Sequence, residues 1–281
     1  MDSFLQDKYQ FNNGLCYMYP TNVFYMIDKK CNEKCSKCDH WQSKSIKDVN
    51  SCDVATFVSR LPNVKELCIV GGEPLLYKND ILHIIEILPY IRIVIITNGV
   101  LADEAFLKSI SHKNIHIVFS IDTIDKTFWE FVRGTKSYQK VMNNFYNALR
   151  ILHKEQISVQ SVLSKQTQDH IKNVEKMCKN YGIYHSIQDY IAEFNGKWDK
   201  VNIPQNIKAD TSCKAYISNL SIFPNGDIYT CFQQNLIANC QKPIGNIFQT
   251  PQEILQNPYM QFVLNQMQKC SFSCKVLKCN Q

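Results

Sequence analysis

The sequence lacks any apolar run long enough to cross a membrane, and its start, Met1 to Gln10, is polar and charged where a secretory signal needs an apolar stretch. Neither membrane insertion nor export is expected, and the chain reads as soluble and cytoplasmic. Internal repeats and low-complexity segments are missing as well. Disorder is not the default for 281 residues that are 45% hydrophobic, enough for one large α/β domain or one domain plus a small appendage. There is no stripe of like charge: 31 basic against 25 acidic residues give +6, but the lysines are scattered, so no nucleic-acid partner is expected. Without an export signal, 13 cysteines, an odd number, do not read as a disulfide framework.

What is present is a clustering of those cysteines. Cys31, Cys35 and Cys38 fall within "CNEKCSKC" near one end, and Cys213, Cys231, Cys270, Cys274 and Cys279 gather near the other. Clustering points to metal. Cys16, Cys52, Cys68, Cys178 and Cys240 stand alone and read as small buried apolar residues.

From Val23 to Tyr190 short apolar runs alternate with helical spacing, the pattern of repeated βα units around a parallel sheet. The expected strands are Val23 to Asp28, Glu66 to Val70, Ile91 to Thr97, Ile115 to Ser120, Ile157 to Leu163 and Ile183 to Tyr190. Helices are expected near Cys52 to Arg60, Asp80 to Leu88, Asp103 to Ile110, Tyr138 to His153 and Gln168 to Asn180, with Asp80 and Asp103 as N-caps and Gly182 as a stop. Six strands suit a partial (β/α)6 TIM-like barrel over 23–190, preceded by an N-terminal extension, 1–22, and followed by a connector, 191–212. A small cysteine-rich β-hairpin plus helix domain, 213–281, completes the chain. In it Pro224-Asn225-Gly226 marks the hairpin turn, because Asn-Gly tolerates positive φ, and the helix of Pro251 to Gln268 is interrupted near Pro258.

In a parallel α/β barrel the site lies beyond the C-terminal ends of the strands. Cys31, Cys35 and Cys38, spaced C-x3-C-x2-C, follow the first strand; Gly71, Gly72, Glu73 and Pro74 follow the second. Thr97, Asn98 and Gly99 close the third strand, and Ser120 and Asp122 the fourth. Three thiolates on one loop can hold three irons of a four-iron cluster and leave the fourth open. A zinc ion with His40 as fourth ligand fits the spacing too. Singly, GGEP reads as a turn with an N-capping acid, Asn98-Gly99 as a generic turn, Ser120 and Asp122 as a strand end, and Arg133 as a surface ion pair.

Together, in this order at successive strand ends, they resemble the radical S-adenosylmethionine (radical SAM) superfamily. The resemblance implies a [4Fe–4S] cluster on Cys31, Cys35 and Cys38, its open iron chelated by S-adenosylmethionine. One-electron cleavage of that cofactor then gives methionine and a 5′-deoxyadenosyl radical. It also implies that Gly71, Gly72 and Glu73 meet the methionyl amino group, and that Thr97, Asn98, Ser120 and Asp122 lie along the ribose and methionyl portions. Arg133 of "FVRG" would pair with the carboxylate. One departure is that the family often has an aromatic residue before the third cysteine, where this chain has Lys37, with Trp41 three residues after that cysteine. What stacks on the adenine is thereby left open.

The C-terminal cysteines look like the cluster-binding extensions called SPASM and twitch domains. A complete SPASM domain has seven cysteines for two auxiliary clusters, whereas this chain has five well placed, the last three spaced C-x3-C-x4-C. One auxiliary [4Fe–4S] cluster is expected, on Cys213, Cys231 and two of Cys270, Cys274 and Cys279. A zinc ribbon of the same cysteines is the alternative.

The short chain and single-cluster extension resemble the carbohydrate-acting dehydrogenases and epimerases of the family. The expected substrate is a small polar molecule, a sugar, aminocyclitol or nucleotide-linked sugar, with flavodoxin or ferredoxin as reductant. An epimerase also needs a hydrogen-donating thiol and a dehydrogenase a base; the sequence ranks no residue for either. Asp39, His40, Trp41, Tyr190, Glu193 and Trp198 are pocket candidates by position. A peptide- or protein-modifying maturase is the second hypothesis. A non-catalytic iron–sulfur or zinc redox module is the third.

Overall fold

The computed structural model describes residues 9–12, 15–18, 20–36, 38–189 and 215–268. Strands β1 (Tyr9–Asn12) and β2 (Leu15–Met18) form a separate antiparallel pair within the N-terminal extension. The barrel strands are β3 (Asn22–Met26), β4 (Glu66–Val70), β5 (Arg92–Thr97), β6 (Ile115–Ser120), β7 (Ile157–Leu163) and β8 (Tyr184–Asp189), each parallel to the next. Three of them match the sequence expectation to the residue; β5 differs by one residue at its start, and β3 and β8 by one or two residues at both ends.

The connecting helices are α1 (Ser51–Ser59), α2 (Lys78–Ile87), α3 (Glu104–Ile110), α4 (Lys126–Arg133), α5 (Tyr138–Ile151) and α6 (Gln168–Tyr181). Asp103 caps α3 by accepting from the Phe106 N–H at 3.0 Å, and Gly182 ends α6 with φ at 65°, as expected. Asp80 is not an N-cap. Pro74 opens a 3-10 turn, Pro74–Tyr77, that Glu73 caps, and this turn runs straight into α2. Asp80 therefore falls inside the first helical turn, where it pairs with Lys47 at 3.0 Å. Helix α4 was not among the expected helices, although Asp125 caps it and Gly134, φ 63°, stops it.

The chain then adds to the barrel sheet instead of building a sheet apart. After α7 (Ala215–Ser218), strand β9 (Asn219–Ile222) pairs in parallel with β3, and β10 (Asp227–Tyr229) and β11 (Gly245–Asn246) extend the sheet antiparallel. The order is β11-β10-β9-β3-β4-β5-β6-β7-β8. The hairpin turn departs from expectation in its chemistry. Gly226 alone takes positive φ, 83°, after a turn closed by the Gly226 N–H to Phe223 carbonyl bond, so Asn225 keeps ordinary backbone. Helices α8 (Pro251–Leu255) and α9 (Pro258–Gln268) follow, broken where Pro258 predicted.

Both faces of the parallel strands are covered, so the strands read as nearly continuous apolar runs. Leu67, Ile69, Ile93, Ile95, Ile117 and Phe119 face the helices in the main core. The opposite face carries a smaller cluster, Cys68, Val94 and Val118, with Phe24, Val70 and Ile96 packed against it. Cys68 is buried, as expected of a lone cysteine, but it belongs to this inner layer and not to the helix-side core that holds Cys178.

Candidate functional site

The loop Cys31 to Cys38 leaves β3 and is tied down from three directions. Asp28, buried at the strand end, accepts from the Lys29 N–H at 2.7 Å, the Ile46 N–H at 2.9 Å and the Tyr77 hydroxyl, which fixes both the exit and the return of the loop. Burial works against its charge, but the donors around it hold the carboxyl below its ordinary range.

The second tie is the turn after β4. The Gly72 and Glu73 N–H groups donate to the Asp28 and Lys30 carbonyls, each at 2.9 Å. A Cβ on Gly71 would stand 2.3 Å from the Asp28 oxygen, and one on Gly72 2.2 Å from the Lys29 and Lys30 oxygens. The glycines are there because no side chain fits between the two loops.

The third tie is the end of α4. The Lys34 and Ser36 N–H groups donate to the Arg133 and Val132 carbonyls at 3.1 and 2.9 Å. Arg133, 4% exposed, sits between two buried carboxylates: Nη2 is 3.1 Å from Asp122 Oδ2, and Nη1 is 3.6 Å from Glu33 Oε2. Nη2 also donates to the Ser120 carbonyl, and Nη1 lies 3.8 Å from Cys35 Sγ. Burial disfavours the guanidinium charge, yet Asp122, Cys35 and Glu33 together hold its pKa above the usual arginine value. Buried Nε has no hydrogen-bond partner among the described residues.

Glu73 turns away from this ring. Buried at 1% exposure, it accepts from Thr97 Oγ1 at 2.7 Å and from the Asn98 and Leu75 N–H groups at 2.8 and 2.9 Å. Burial pushes its carboxyl up to about 7, against the pull of those three donors. Its carboxylate thus stitches the end of β4 to the end of β5. Asn98 in turn points its amide at Asn32 Oδ1, 2.7 Å, and at Cys31 Sγ, 3.8 Å.

Ten of the residues singled out in the sequence line one cavity at the C-terminal ends of the strands: Cys31, Cys35, Cys38, Gly71, Gly72, Thr97, Asn98, Ser120, Asp122 and Arg133. Glu73 lies behind the wall. Sequence reasoning missed Glu33, Val70, Ile96, Gln160 and Val162, which also line it. Gln160 carried a legible signal, being the one amide in the apolar run of β7. Trp41 lines the cavity too, its Nε1–H donating to the Cys35 carbonyl at 3.3 Å. His40 is instead occupied by the Gly71 backbone, with burial lowering its pKa. Asp39 is exposed and absent from the lining, whereas Tyr190, Glu193 and Trp198 lie outside the described residues.

The sequence profile described as the Radical SAM superfamily matches residues 26–178, more than half of the chain. The chain belongs to the radical SAM superfamily. Over 141 residues it is 33% identical to a protein of Archaeoglobus fulgidus described as a probable GTP 3′,8-cyclase. That match covers 47% of this chain and 45% of the cyclase, so the chain spans less than half the length of this curated relative. Among solved structures, SuiB of Streptococcus suis bound to S-adenosylmethionine superposes with a TM-score of 0.71 at 17% identity, covering 88% of this chain and 68% of SuiB. The structure of anSMEcpe with AdoMet and a Cp18Cys peptide gives 0.69 at 16%, covering 92% and 86%. BtrN with AdoMet and 2-DOIA gives 0.57 at 16%, covering 90% and 91%. At such identities the likeness is one of fold.

Radical SAM enzymes bind a [4Fe–4S] cluster and S-adenosylmethionine, and the cavity has the donor chemistry for both. Three thiols share it, and two side-chain donors, Asn98 and Arg133, point at two of the sulfurs. Among the described residues no three His, Cys, Asp or Glu side chains converge on a single ion, as zinc would demand. A cluster differs in that each thiolate binds its own iron. Burial pushes the Cys31 thiol up to about 12 without metal, so cluster uptake must displace its proton.

Of the C-terminal cysteines, Cys231 is half-buried and packed against the main core. Cys213, Cys270, Cys274 and Cys279 lie outside the described residues. No helix among the described residues is long and apolar enough to cross a membrane.

Proposed function

We propose that this radical SAM enzyme takes hydrogen from a small polar molecule, a sugar, aminocyclitol or nucleotide-linked sugar, and dehydrogenates or epimerises it. The observation that carries the reading is the cavity itself. The three thiols line it, its wall also presents Ser120, Asp122 and Gln160, and Val70 and Ile96 connect it to the apolar inner layer. A compact polar molecule fits such a wall, with its hydroxyls meeting the amide and hydroxyl groups.

The chemistry supplied at such a site is one-electron cleavage of S-adenosylmethionine to methionine and a 5′-deoxyadenosyl radical, which removes hydrogen from the substrate. The protein's part is to hold and orient. Cys31, Cys35 and Cys38 would ligate the cluster. Gly71 and Gly72, which line the cavity, would meet the methionyl amino group through their backbone carbonyls. Both Nη atoms of Arg133 are engaged, which leaves Nε as its donor for a carboxylate. Thr97 spends its hydroxyl on Glu73, Asp122 its carboxylate on Arg133 and the Val162 N–H, and Asn98 its amide on Asn32, so Ser120 is the nearer candidate for the polar ribose and methionyl groups. Trp41 is the aromatic ring in the wall and the candidate to stack on adenine. A second [4Fe–4S] cluster is proposed on Cys213, Cys231 and two of Cys270, Cys274 and Cys279. There it would accept the electron of a dehydrogenation delivered from the substrate.

Support comes from BtrN, whose complex holds 2-DOIA and whose length this chain nearly matches. Peptide modification is the second reading, favoured by SuiB bound to the precursor peptide SuiA and by anSMEcpe with bound peptides. The test is anaerobic reconstitution followed by assay of 5′-deoxyadenosine and methionine, with reduced flavodoxin or ferredoxin, across sugars, aminocyclitols, sugar nucleotides and peptides. Stimulation by a compound of the first three classes, with its oxidised or epimerised product, supports the proposal. Stimulation by peptides alone overturns it.

A further inference from the structure

The geometry points to Arg133, paired with Glu33, as the residue that sets the reduction potential of the cluster held by the cysteine loop, through its contact with the Cys35 sulfur. This rests on the reading above that Cys31, Cys35 and Cys38 carry the cluster. Nη1 of Arg133 lies 3.8 Å from Cys35 Sγ and 3.6 Å from Glu33 Oε2, so one nitrogen serves both a sulfur and a carboxylate. The contact is built with care on both sides. Nη2 is held by Asp122 at 3.1 Å and by the Ser120 carbonyl, which leaves the guanidinium no freedom to swing away.

Glu33 is fixed as firmly. It is 1% exposed inside a loop whose neighbours Asn32 and Lys34 are exposed, and it accepts from Thr135 Oγ1 at 3.2 Å and from the Ser137 hydroxyl. Those hydroxyls come from the turn after α4. The main-chain bonds from Lys34 and Ser36 to α4 then lock loop and helix end in one register. A loop needing only to present three thiols would not bury a carboxylate and a guanidinium beside one of them, because stripping water from two charges is costly unless they are paired and hydrogen-bonded. Their placement makes sense as electrostatics. A donor and a positive charge at a cluster sulfur favour the reduced state, and a negative charge favours the oxidised one. Arg133 is thus a positioning residue that also weights the cluster's electron affinity, with Glu33 as its counterweight.

The test is a redox titration of the reconstituted protein, without S-adenosylmethionine or substrate, followed by the spectroscopic signature of the reduced cluster. The variants are Arg133→Gln, Arg133→Lys and Glu33→Gln, with iron per chain measured in each. We expect parental iron content, a potential displaced to the negative side in Arg133→Gln, a smaller displacement in Arg133→Lys, and a displacement to the positive side in Glu33→Gln. Potentials unchanged at full iron content overturn the inference. Should Arg133→Gln take up no iron, Glu33→Gln decides: a positive displacement supports the inference, and none overturns it. A Cys35→Ala variant separates the two levels of the argument. If it keeps all of the parent's iron, the cluster assignment itself has failed.

Discussion

Replacing Gly72 by alanine places a Cβ 2.2 Å from two main-chain oxygens, those of Lys29 and Lys30, and neither can rotate out of the way. The cysteine loop and the β4 turn must therefore separate by about 1 Å to restore ordinary contact, an overpacking that costs about 1–3 kcal/mol. The two main-chain hydrogen bonds across the same gap, from Gly72 and Glu73 at 2.9 Å, are strained with it and contribute about 1 kcal/mol each. The sum is about 3–5 kcal/mol, which for a chain of this size lowers the melting temperature by about 10 °C. Gly182→Ala is the control. Its φ is 65°, but its nearest neighbour is the flexible end of Lys154 at 3.3 Å, so only the left-handed backbone penalty of about 1–2 kcal/mol applies. Calorimetry of the metal-free proteins, iron per chain after anaerobic reconstitution and S-adenosylmethionine binding would all be compared. We expect Gly72→Ala to lose stability, iron and cofactor binding, and Gly182→Ala to lose a little stability only. A Gly72→Ala protein that melts within about 2 °C of the parent, a shift worth about 1 kcal/mol or less, and that binds iron and cofactor fully would refute the reasoning.

Three further outcomes follow from the same geometry. Glu73 has its folded pKa raised to about 7, so the native state binds its proton more tightly than the unfolded chain does, and stability falls as pH rises from about 4.5 to 7. Denaturant melts of the metal-free protein should show up to about 3 kcal/mol of that slope, and Glu73→Gln should abolish it. Asp122→Ala leaves Arg133 a buried charge short of one partner and should cost about 3–5 kcal/mol in the same melts. Trp41→Ala should weaken S-adenosylmethionine binding by roughly 5- to 150-fold in equilibrium dialysis, the worth of about 1–3 kcal/mol of base stacking, with Trp41→Phe partly restoring it.

The barrel was legible in the sequence because strands buried on both faces read as apolar runs, and the six of them stand out between helical spacings. The same property hid which face was which. Cys68 and Ile69 are equally apolar neighbours, yet one lies in the inner layer and the other in the helix-side core. The cavity residues were legible because chemistry-bearing side chains cluster at strand ends, where the fold gathers them. Glu33 was not, since a carboxylate in a polar loop gives no sign of burial until Arg133, 100 residues later in sequence, is brought against it. The direction of Glu73 was hidden for the same reason: two of its three partners, Thr97 and Asn98, stand at the end of the next strand. The hairpin's joining of the barrel sheet rests on a pairing between Asn22 and Asn219, 197 residues apart, which no local pattern encodes. Helix α4 was passed over because its last residues were read as a motif, while Asp125 and Gly134 carried ordinary cap signals.

The measurement that tests the account most directly is iron and sulfide per chain, with 5′-deoxyadenosine formed under reduction, in the parent and in a Cys31→Ala, Cys35→Ala, Cys38→Ala variant. We predict that the variant loses one four-iron cluster and all cleavage of S-adenosylmethionine, while the C-terminal cluster survives. Equal iron in the two proteins, or cleavage persisting in the variant, would contradict it.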